Sequence, residues 1–337
     1  MKKKYQKQKQ SARLADSSGK PTVISTFAGC GGSSLGYHYA GFKELLAVEW
    51  EDNAAKTFAL NFPDIPLFHG DIKDLSVEDC LKRAGLKRGE LDVFDGSPPC
   101  QGFSMAGGRR FNDPRNSLFK EYCRLLDGLQ PKAFVMENVT GMVRGVMKRA
   151  FLTCISELRA CGYEVKAEVM NAKYYGVPQA RERVIFIGTR KDLNIPPTHP
   201  KPQTKPISVM EAFRGVSFDS ENKKIPKSVL PYAIKTRPGE SCSKYHKTGS
   251  FFNWIRCQAN KPSGTITKTA CMIHPFELRF LNIPEIKRLG SFPDDFKLIG
   301  DFEEKWARIG NSVPPLLMKA IAEHIKNNIL KHQGAST

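Results

Sequence analysis

The sequence predicts an α/β protein with a sheet that carries helices on both faces, followed by a smaller irregular region. Three observations support this class. Short apolar segments alternate with helical segments up to about residue 190, which is the pattern of a sheet built from strand–helix units. A proline-dense stretch at 193–206, expected to be an extended linker, ends the alternation. Beyond it the chain is basic and irregular to about residue 267.

The strands and helices are predicted in a regular order. Strands are expected at TVISTF, ELLAVEW, LDVFDG and KAFVMEN, and a further one near RVIFIGTR. Helices are expected at SSLGYHYAG, at DNAAKTFALNF, which Pro63 ends, at RNSLFKEYCRLLDGLQ, and after GNSVPP. The carboxyl ends of parallel strands meet at one edge of a sheet, so the residues that follow these strands are the candidates for binding a ligand.

The charge balance is strongly basic. The 337 residues contain 52 Lys and Arg against 34 Asp and Glu, a formal net charge of +18. Such an excess favours a polyanionic partner, most simply nucleic acid, with a merely soluble basic protein as the alternative. The start MKKKYQKQKQ is not followed by the apolar stretch of a signal peptide, and no apolar run reaches the roughly 18 residues of a membrane span. A cytoplasmic protein with a disordered basic tail is expected.

The nine cysteines argue against disulfides and structural zinc. Their number is odd, no C-x-x-C pair is present, and no histidines stand at zinc-finger spacing. A reducing compartment and a protein without a metal are therefore expected. Eight cysteines are predicted to fill space. Cys154 and Cys161, seven residues apart in a helical pattern, are predicted to share one face in or near the core.

A nucleoside pocket is predicted at the first two strand ends. The segment FAGCGGSSLG leaves the first strand and begins a helix, and its glycines let a ligand approach the backbone. The dinucleotide fingerprint is not met, because Ser34 stands at its third glycine. Glu49 is placed to bind ribose hydroxyls, Trp50 to stack on adenine, and Asp71 follows the next strand. These residues do not choose between a nicotinamide dinucleotide and S-adenosylmethionine.

A cysteine stands in a stiff loop at the same edge of the sheet. In GSPPCQGFS two prolines precede Cys100 and Gln-Gly follows it. A thiol at this edge can be a nucleophile, although an inert loop cysteine would be the default interpretation of the motif alone. Glu137 and Asn138 end the next strand, where the acid can be either a satisfied cap or a general acid. Both are predicted to point into the same rim.

Two arginines follow in QARER. Gln179, Arg181 and Arg183 alternate and are predicted to face one way along one strand. Two arginines on one strand face usually mark a solvated edge. Opposite a catalytic rim they indicate a bound anion, a phosphate or a base carbonyl.

The order of these segments resembles the DNA (cytosine-5) methyltransferases. The matching segments are FAGCGG, EWE, GDI, GSPPCQGFS, ENV, QARER, GTIT and GNSVPP, and the resemblance covers about residues 23–329. It is closest to the compact modification enzymes of bacterial or phage type. The resemblance implies an S-adenosylmethionine-dependent, Rossmann-like methyltransferase sheet with helices on both faces, and a smaller irregular DNA-recognition domain.

The resemblance also implies roles for single residues. Cys100 would attack C6 of a cytosine flipped out of the duplex, and Glu137 would bind N3 and the exocyclic amine. Arg183 would contact O2 of the base, whereas Arg181 would hold the loop and a phosphate. The residues expected to close over the base are Gln101 and Ser104. The residues expected to bind S-adenosylmethionine are Phe27, Gly29, Gly31, Glu49, Trp50, Asp71, Ile72, Pro98, Asn311 and Ser312.

Domains and partners follow from the same resemblance. It divides the chain into a disordered basic tail over 1–20, a catalytic and cofactor-binding domain over 21–190, a target-recognition domain with a hinge over 191–298, and a segment over 299–330 that returns to the catalytic domain. Double-stranded DNA is the expected partner of a monomer, and a cognate restriction endonuclease could act separately. The protein is expected to be cytoplasmic and associated with the nucleoid.

Three other functions fit parts of the sequence. A tRNA cytosine-5 methyltransferase shares the expected fold, but VMENVTGMV lacks the Cys-Phe-Thr that this branch usually carries near Glu-Asn. A catalytically inactive DNA-binding relative is disfavoured by the presence of Cys100, Glu137 and Arg183. A nicotinamide oxidoreductase would account for the glycine loop and not for PPCQ.

Overall fold

The computed structural model describes residues 19–99, 114–143, 148–216, 224–251, 253–269 and 272–331. These residues fall into two compact units that are each discontinuous in sequence. Within the described ranges, the sheet unit comprises 19–170, 182–201 and 318–331, and the second unit comprises 171–181 and 202–317. The chain therefore passes from one unit to the other four times.

The sheet unit is built on seven strands. They are β1 Thr22–Thr26, β2 Lys43–Glu49, β3 Leu67–His69, β4 Val93–Gly96, β5 Ala133–Val139, β6 Tyr163–Asn171 and β7 Glu182–Arg190. Across the sheet the order is β3-β2-β1-β4-β5-β7-β6. Neighbours from β3 to β5 pair in parallel, as the strand–helix alternation predicts, whereas β7 pairs antiparallel with β5. The start of β7 therefore lies at the same edge of the sheet as the carboxyl ends of β1 to β5.

Ten α-helices accompany the strands in the described residues. They are α1 Gly32–Tyr39, α2 Asp52–Asn61, α3 Val77–Ala84, α4 Pro114–Leu129, α5 Lys148–Ala160, α6 Val209–Ala212, α7 Leu230–Lys235, α8 Ile283–Leu289, α9 Phe302–Asn311 and α10 Pro315–Ile325. Local sequence explains several starts: the Glu51 carboxylate accepts from two amides of the first turn of α2, and the Ser76 hydroxyl caps α3. None of the helices in the described part of the chain is long and apolar enough to cross a membrane.

Aromatic side chains form the centre of the sheet unit. The ring centroids of Phe94 and Tyr122 lie 4.9 Å apart, and those of Phe134 and Tyr163 lie 5.2 Å apart. The Tyr122 hydroxyl donates to the Val135 carbonyl at 3.1 Å, so burial of the ring leaves its polar end satisfied. This packing holds β4 and β5 side by side, and with them the residues at their carboxyl ends.

The second unit has little regular structure and its own core. It contains α6 to α9 and the short parallel pair β8 Ile255–Arg256 and β9 Met272–Ile273. Trp306 on α9 is fully buried, and its indole Nε1 donates to the Thr267 carbonyl at 3.1 Å. Capping boxes begin both α8, at Asn282, and α9, at Asp301. The chain after residue 206 is irregular, as the sequence predicts, and a few well-capped helices stabilise it.

Candidate active site

The chain makes a sharp turn directly after β1. Phe27, Gly29 and Gly31 have φ values of 54°, 58° and 98°, in the left-handed region. Gly31 also meets a steric demand, because a Cβ there would lie 2.2 Å from the ring of Phe62. The turn leads straight into α1. The N-cap residue of α1 is Gly31, which has no side chain to cap the helix. The predicted strand, glycine loop and helix are confirmed, and the loop lies at the carboxyl edge of the sheet.

The Glu49 carboxylate organises this edge. Glu49 ends β2 and is buried. Its Oε2 accepts from the Gly29 amide at 2.7 Å, and its Oε1 accepts from the amides of Trp50 at 3.0 Å and Glu51 at 2.8 Å. A carboxylate offers about four acceptor positions, so one position on Oε2 remains for a further donor such as a hydroxyl. The residue chosen from sequence as a ribose ligand thus also ties the glycine loop to β2.

Three further predicted cofactor residues follow β2 and β3. The Trp50 side chain is 71% exposed, which is unusual for a residue next to a buried strand end. Asp71 lies two residues beyond β3, where its Oδ1 accepts from the Lys73 amide at 3.0 Å. Ile72 next to it is buried. An exposed indole, a carboxylate and an apolar side chain are the groups that an adenosine moiety requires.

An ion pair lies at the neighbouring strand ends. Glu137, near the end of β5, and Arg183, near the start of β7, are diagonal neighbours in the antiparallel pair. The Arg183 Nε lies 2.7 Å from the Glu137 Oε1, and the two side chains are 14% and 13% exposed. The two charged groups are almost buried but remain accessible. Together they can donate and accept hydrogen bonds along one edge of a planar ligand.

Asn138, which follows Glu137 in β5, fixes the backbone at the start of the cysteine loop. Asn138 is buried and its Nδ2 donates to the Pro98 carbonyl at 3.0 Å. Its Oδ1 accepts from the Val139 amide at 2.9 Å. The side chain therefore holds the backbone two residues before Cys100. Cys100 itself, with Gln101 and Ser104, lies outside the described residues.

Sequence reasoning missed a buried acidic cluster behind the glycine loop. The Ser34 hydroxyl donates to the Glu44 Oε1 at 3.0 Å, and the Tyr37 hydroxyl donates to the Asp95 Oδ1 at 3.3 Å. Burial raises the pKa of Glu44 to about 7 and the pKa of Asp95 well above its ordinary value, with the Glu44 charge adding to the second shift. The one signal available was a charged residue inside each of the apolar segments KELLAVE and VFDG.

The predicted alternation of Gln179, Arg181 and Arg183 on one strand is wrong. β7 begins only at Glu182, and Gln179 and Arg181 belong to the second unit. Arg181 is buried, and its Nη1 donates to the carbonyls of Ile266 at 2.9 Å and Gly310 at 3.0 Å. Arg181 therefore joins distant backbone segments within its own unit.

Gln179 has a similar role to Arg181. Its Nε2 donates to the Leu289 carbonyl at 3.2 Å, and its Oε1 accepts from the Ile266 amide at 3.0 Å. The two predicted cofactor residues from GNSVPP also lie in this unit. Asn311 ends α9 and is exposed, whereas Ser312 is buried and donates to the Arg308 carbonyl at 2.7 Å. In the described ranges of the chain, no group of His, Cys, Asp and Glu has the arrangement of a metal site.

Comparison with known proteins identifies the family to which this chain belongs. The sequence model of the C-5 cytosine-specific DNA methylases matches residues 21–327. Type II methyltransferase M1.HphI of Haemophilus parahaemolyticus is 35% identical, over 90% of this chain and 86% of the relative. Type II methyltransferase M.NgoPII of Neisseria gonorrhoeae is 33% identical, over 91% of this chain and 96% of the relative.

Solved structures give the same result at the level of the fold. A protein described as a DNA modification methyltransferase encoded within an E. coli prophage superposes with a TM-score of 0.76 at 26% identity, covering 93% of this chain and all of the other. Spodoptera frugiperda DNMT2 superposes with a TM-score of 0.67 at 19% identity, covering 91% and 99%, and this likeness concerns the fold alone. Sequence and fold together show that this chain is a member of the C-5 cytosine-specific DNA methylase family.

Proposed function

We propose that this enzyme transfers a methyl group from S-adenosylmethionine to C5 of a cytosine that is flipped out of a short specific DNA sequence. The observation that best supports this proposal is the ion pair of Glu137 and Arg183. The Glu137 Oε1 and the Arg183 Nε lie 2.7 Å apart, at the edge of the sheet that also carries the glycine loop. The family membership gives the reaction, and this pair supplies the groups that a cytosine ring requires. The donor, the flipped base and the covalent intermediate are our proposal.

The sheet unit has the groups that S-adenosylmethionine needs. Glu49 keeps one free acceptor position for a ribose hydroxyl beside the loop containing Gly29. Trp50 offers an exposed ring for the adenine, with Asp71 available to its amine. Positive φ values keep the loop backbone open to the methionine end. We further propose Phe27, Gly31, Ile72 and Pro98 as cofactor contacts.

The base has to be activated before it can be methylated, because C5 of cytosine is a poor nucleophile. We propose that the Cys100 thiolate adds to C6, which moves electron density to C5 and to the N3–O2 side of the ring. We propose that Glu137 takes up a proton when the base binds and donates it at N3 while Arg183 binds O2, so both stabilise the charge that develops there. S-adenosylmethionine, when bound, supplies the methyl group that C5 accepts. The proton at N3 then returns to Glu137, and solvent water takes the proton at C5. The electrons of that C–H bond re-form the C5–C6 double bond as the Cys100 thiolate leaves C6.

The second unit is suited to bind DNA. Between residues 224 and 268 the sequence has nine Lys and Arg and a single acid, Glu240. Eight of the nine cations are exposed: Lys224, Lys227, Lys235, Arg237, Lys244, Lys247, Lys261 and Lys268. Glu240 is engaged by Lys244 and by the Tyr245 hydroxyl, and these partners lower its pKa to about 2. This surface can neutralise several phosphates of a duplex, and its binding should weaken steeply with salt.

Both relatives described above are named as Type II methyltransferases. We accordingly propose a modification enzyme that acts as a monomer in the cytoplasm, with any restriction endonuclease acting as a separate protein. Arg181, buried among backbone carbonyls, is proposed to position its own unit. Gln101 and Ser104 are proposed to contact the DNA around the flipped base.

The proposal is tested by expressing the protein in a host that lacks 5-methylcytosine and mapping the modified base by conversion sequencing. The wild-type protein is expected to methylate one short motif completely. Cys100→Ser is expected to abolish the mark, and Glu137→Gln to lower the rate by roughly 10²-fold or more. A folded wild-type protein that leaves the DNA unmodified would overturn the proposal, and 5-methylcytosine found in tRNA instead would identify the RNA-modifying alternative.

A further inference from the structure

Two cysteines of the sheet unit lie side by side and have no part in the proposed reaction. Cys123 lies within α4, and Cys161 lies between the end of α5 and the start of β6. The Cys161 Sγ donates to the Cys123 carbonyl at 3.8 Å. Both are half-buried, whereas the other described cysteines are buried: Cys30, Cys80, Cys154, Cys242 and Cys257. The pair is thus the accessible thiol site of the described chain.

The backbone around Cys161 is fixed by the residues that follow α4. The Gln130 Nε2 donates to the Cys161 carbonyl at 3.1 Å and to the Asp127 carbonyl at 2.9 Å. The Tyr163 hydroxyl donates to the Pro131 carbonyl at 2.8 Å. These contacts hold the turn before β6 against the end of α4. The fold therefore holds the Cys161 thiol beside the backbone of Cys123.

The surroundings of Cys161 favour its reactive form. The hydrogen bond from Cys123 lowers the pKa of the Cys161 thiol, although burial and the carboxylates of Asp127 and Glu157 act in the opposite direction. The thiolate is the form that attacks an oxidant. By contrast, burial raises the pKa of Cys80 to about 12, which keeps that thiol inert.

We propose that Cys123 and Cys161 form a reversible dithiol–disulfide site that is oxidised by peroxide. The Cys161 sulfur attacks one peroxide oxygen, the O–O bond breaks, and a sulfenic acid and one water result. The Cys123 sulfur then attacks the Cys161 sulfur, the S–O bond breaks, and a second water leaves as the disulfide forms. Two thiols lose two electrons and two protons, and one peroxide is reduced to two waters. The bond would link α4, which follows the Cys100 segment in the chain, to the turn before β6.

Mass spectrometry of the full-length protein tests this site directly. The reduced protein is treated with hydrogen peroxide, its remaining thiols are alkylated, and it is digested with trypsin. The expected product links EYCR, residues 121–124, to ACGYEVK, residues 160–166, and dithiothreitol should separate them. Cys154, in AFLTCISELR, is expected to remain a thiol because it is fully buried. The oxidised protein should melt at a temperature roughly 5–10 °C higher.

Serine variants distinguish a paired site from two independent thiols. In Cys123→Ser the Cys161 thiol should be oxidised at least tenfold more slowly to a disulfide-free sulfenic acid, and in Cys161→Ser the Cys123 thiol should stay reduced. Equal rates of Cys161 loss with and without Cys123, or complete oxidation of Cys161 without the linked peptide, would overturn the proposal. None of these readouts depends on methylation, so the result is independent of the proposed function.

Discussion

Glu44→Gln should remove a pH dependence that is built into the sheet unit. The Glu44 Oε1 accepts from Ser34, and its Oε2 is buried. Burial raises the pKa of this carboxyl to about 7 in the folded protein, against about 4.3 in an unfolded chain. The folded state therefore binds a proton that the unfolded state has already released at neutral pH.

The sign of the effect follows from proton linkage. Between about pH 4.3 and 7 the folded state holds more protons, so the free energy of unfolding falls as pH rises and becomes level above the folded pKa. At 1.36 kcal/mol for each pKa unit, the difference of about 2.7 units gives a loss of about 4 kcal/mol. Glutamine keeps an acceptor for Ser34 and has no charge to bury. The Glu44 charge raises the pKa of Asp95, so the substitution should also lower the pKa of Asp95.

Urea unfolding of the full-length protein from pH 4.5 to 8 measures this difference. Glu44→Gln is expected to match the wild type near pH 4.5 and to exceed its stability by up to about 4 kcal/mol at pH 8. Glu164→Gln, at an exposed position of β6, is the control and should follow the wild-type curve. A constant difference between Glu44→Gln and the wild type across the whole range would refute the reasoning.

Three further substitutions test single contacts of the site. Trp50→Ala should weaken binding of S-adenosylhomocysteine roughly tenfold in calorimetry while leaving the melting temperature nearly unchanged, because its side chain is 71% exposed; unchanged affinity would remove the residue from the pocket. Asn138→Ala should lower kcat because the Pro98 carbonyl loses its donor, and an unaltered kcat in single-turnover methylation would contradict this role. Arg181→Met should destabilise the second unit by about 3 kcal/mol in urea unfolding, because two buried carbonyls lose their donor, whereas a variant as stable as the wild type would show those bonds to be dispensable.

The edge of the sheet that we propose to bind the cofactor could be predicted because it is built from residues that are close together in sequence. A strand, a tight turn and a helix follow one another within a few residues, and parallel strands bring successive strand ends to one edge. The order of Gly29, Glu49 and Asp71 along the chain therefore predicts their common location. What the pattern could not supply is the Glu49 contact with the Gly29 amide, because that bond depends on the turn's positive φ angles.

The arginine motif shows where such reasoning stops. Arg181 and Arg183 are two residues apart, which fits one strand face, yet only Arg183 lies in β7. Arg181 bonds carbonyls 85 and 129 residues further along the chain, and no local pattern reports contacts at such distances. Cys161 is a related case: its helical spacing from Cys154 predicted a shared face, but α5 ends at Ala160 and leaves Cys161 half-buried beside Cys123.

The discontinuity of the sheet unit bears on how the protein is made. Part of that unit begins only at residue 318, and the Lys326 Nζ donates to the Ala40 carbonyl at 3.1 Å across 286 positions of sequence. During synthesis the β1–α1 region emerges first and has to wait for this late partner, which delays completion of the fold. A ribosome-bound chain that stops short of residue 318 would thus lack the contact that Lys326 makes at the end of α1. The enzyme should gain its native sheet unit late in translation, and C-terminal truncations should be poor substitutes for point variants in any activity study.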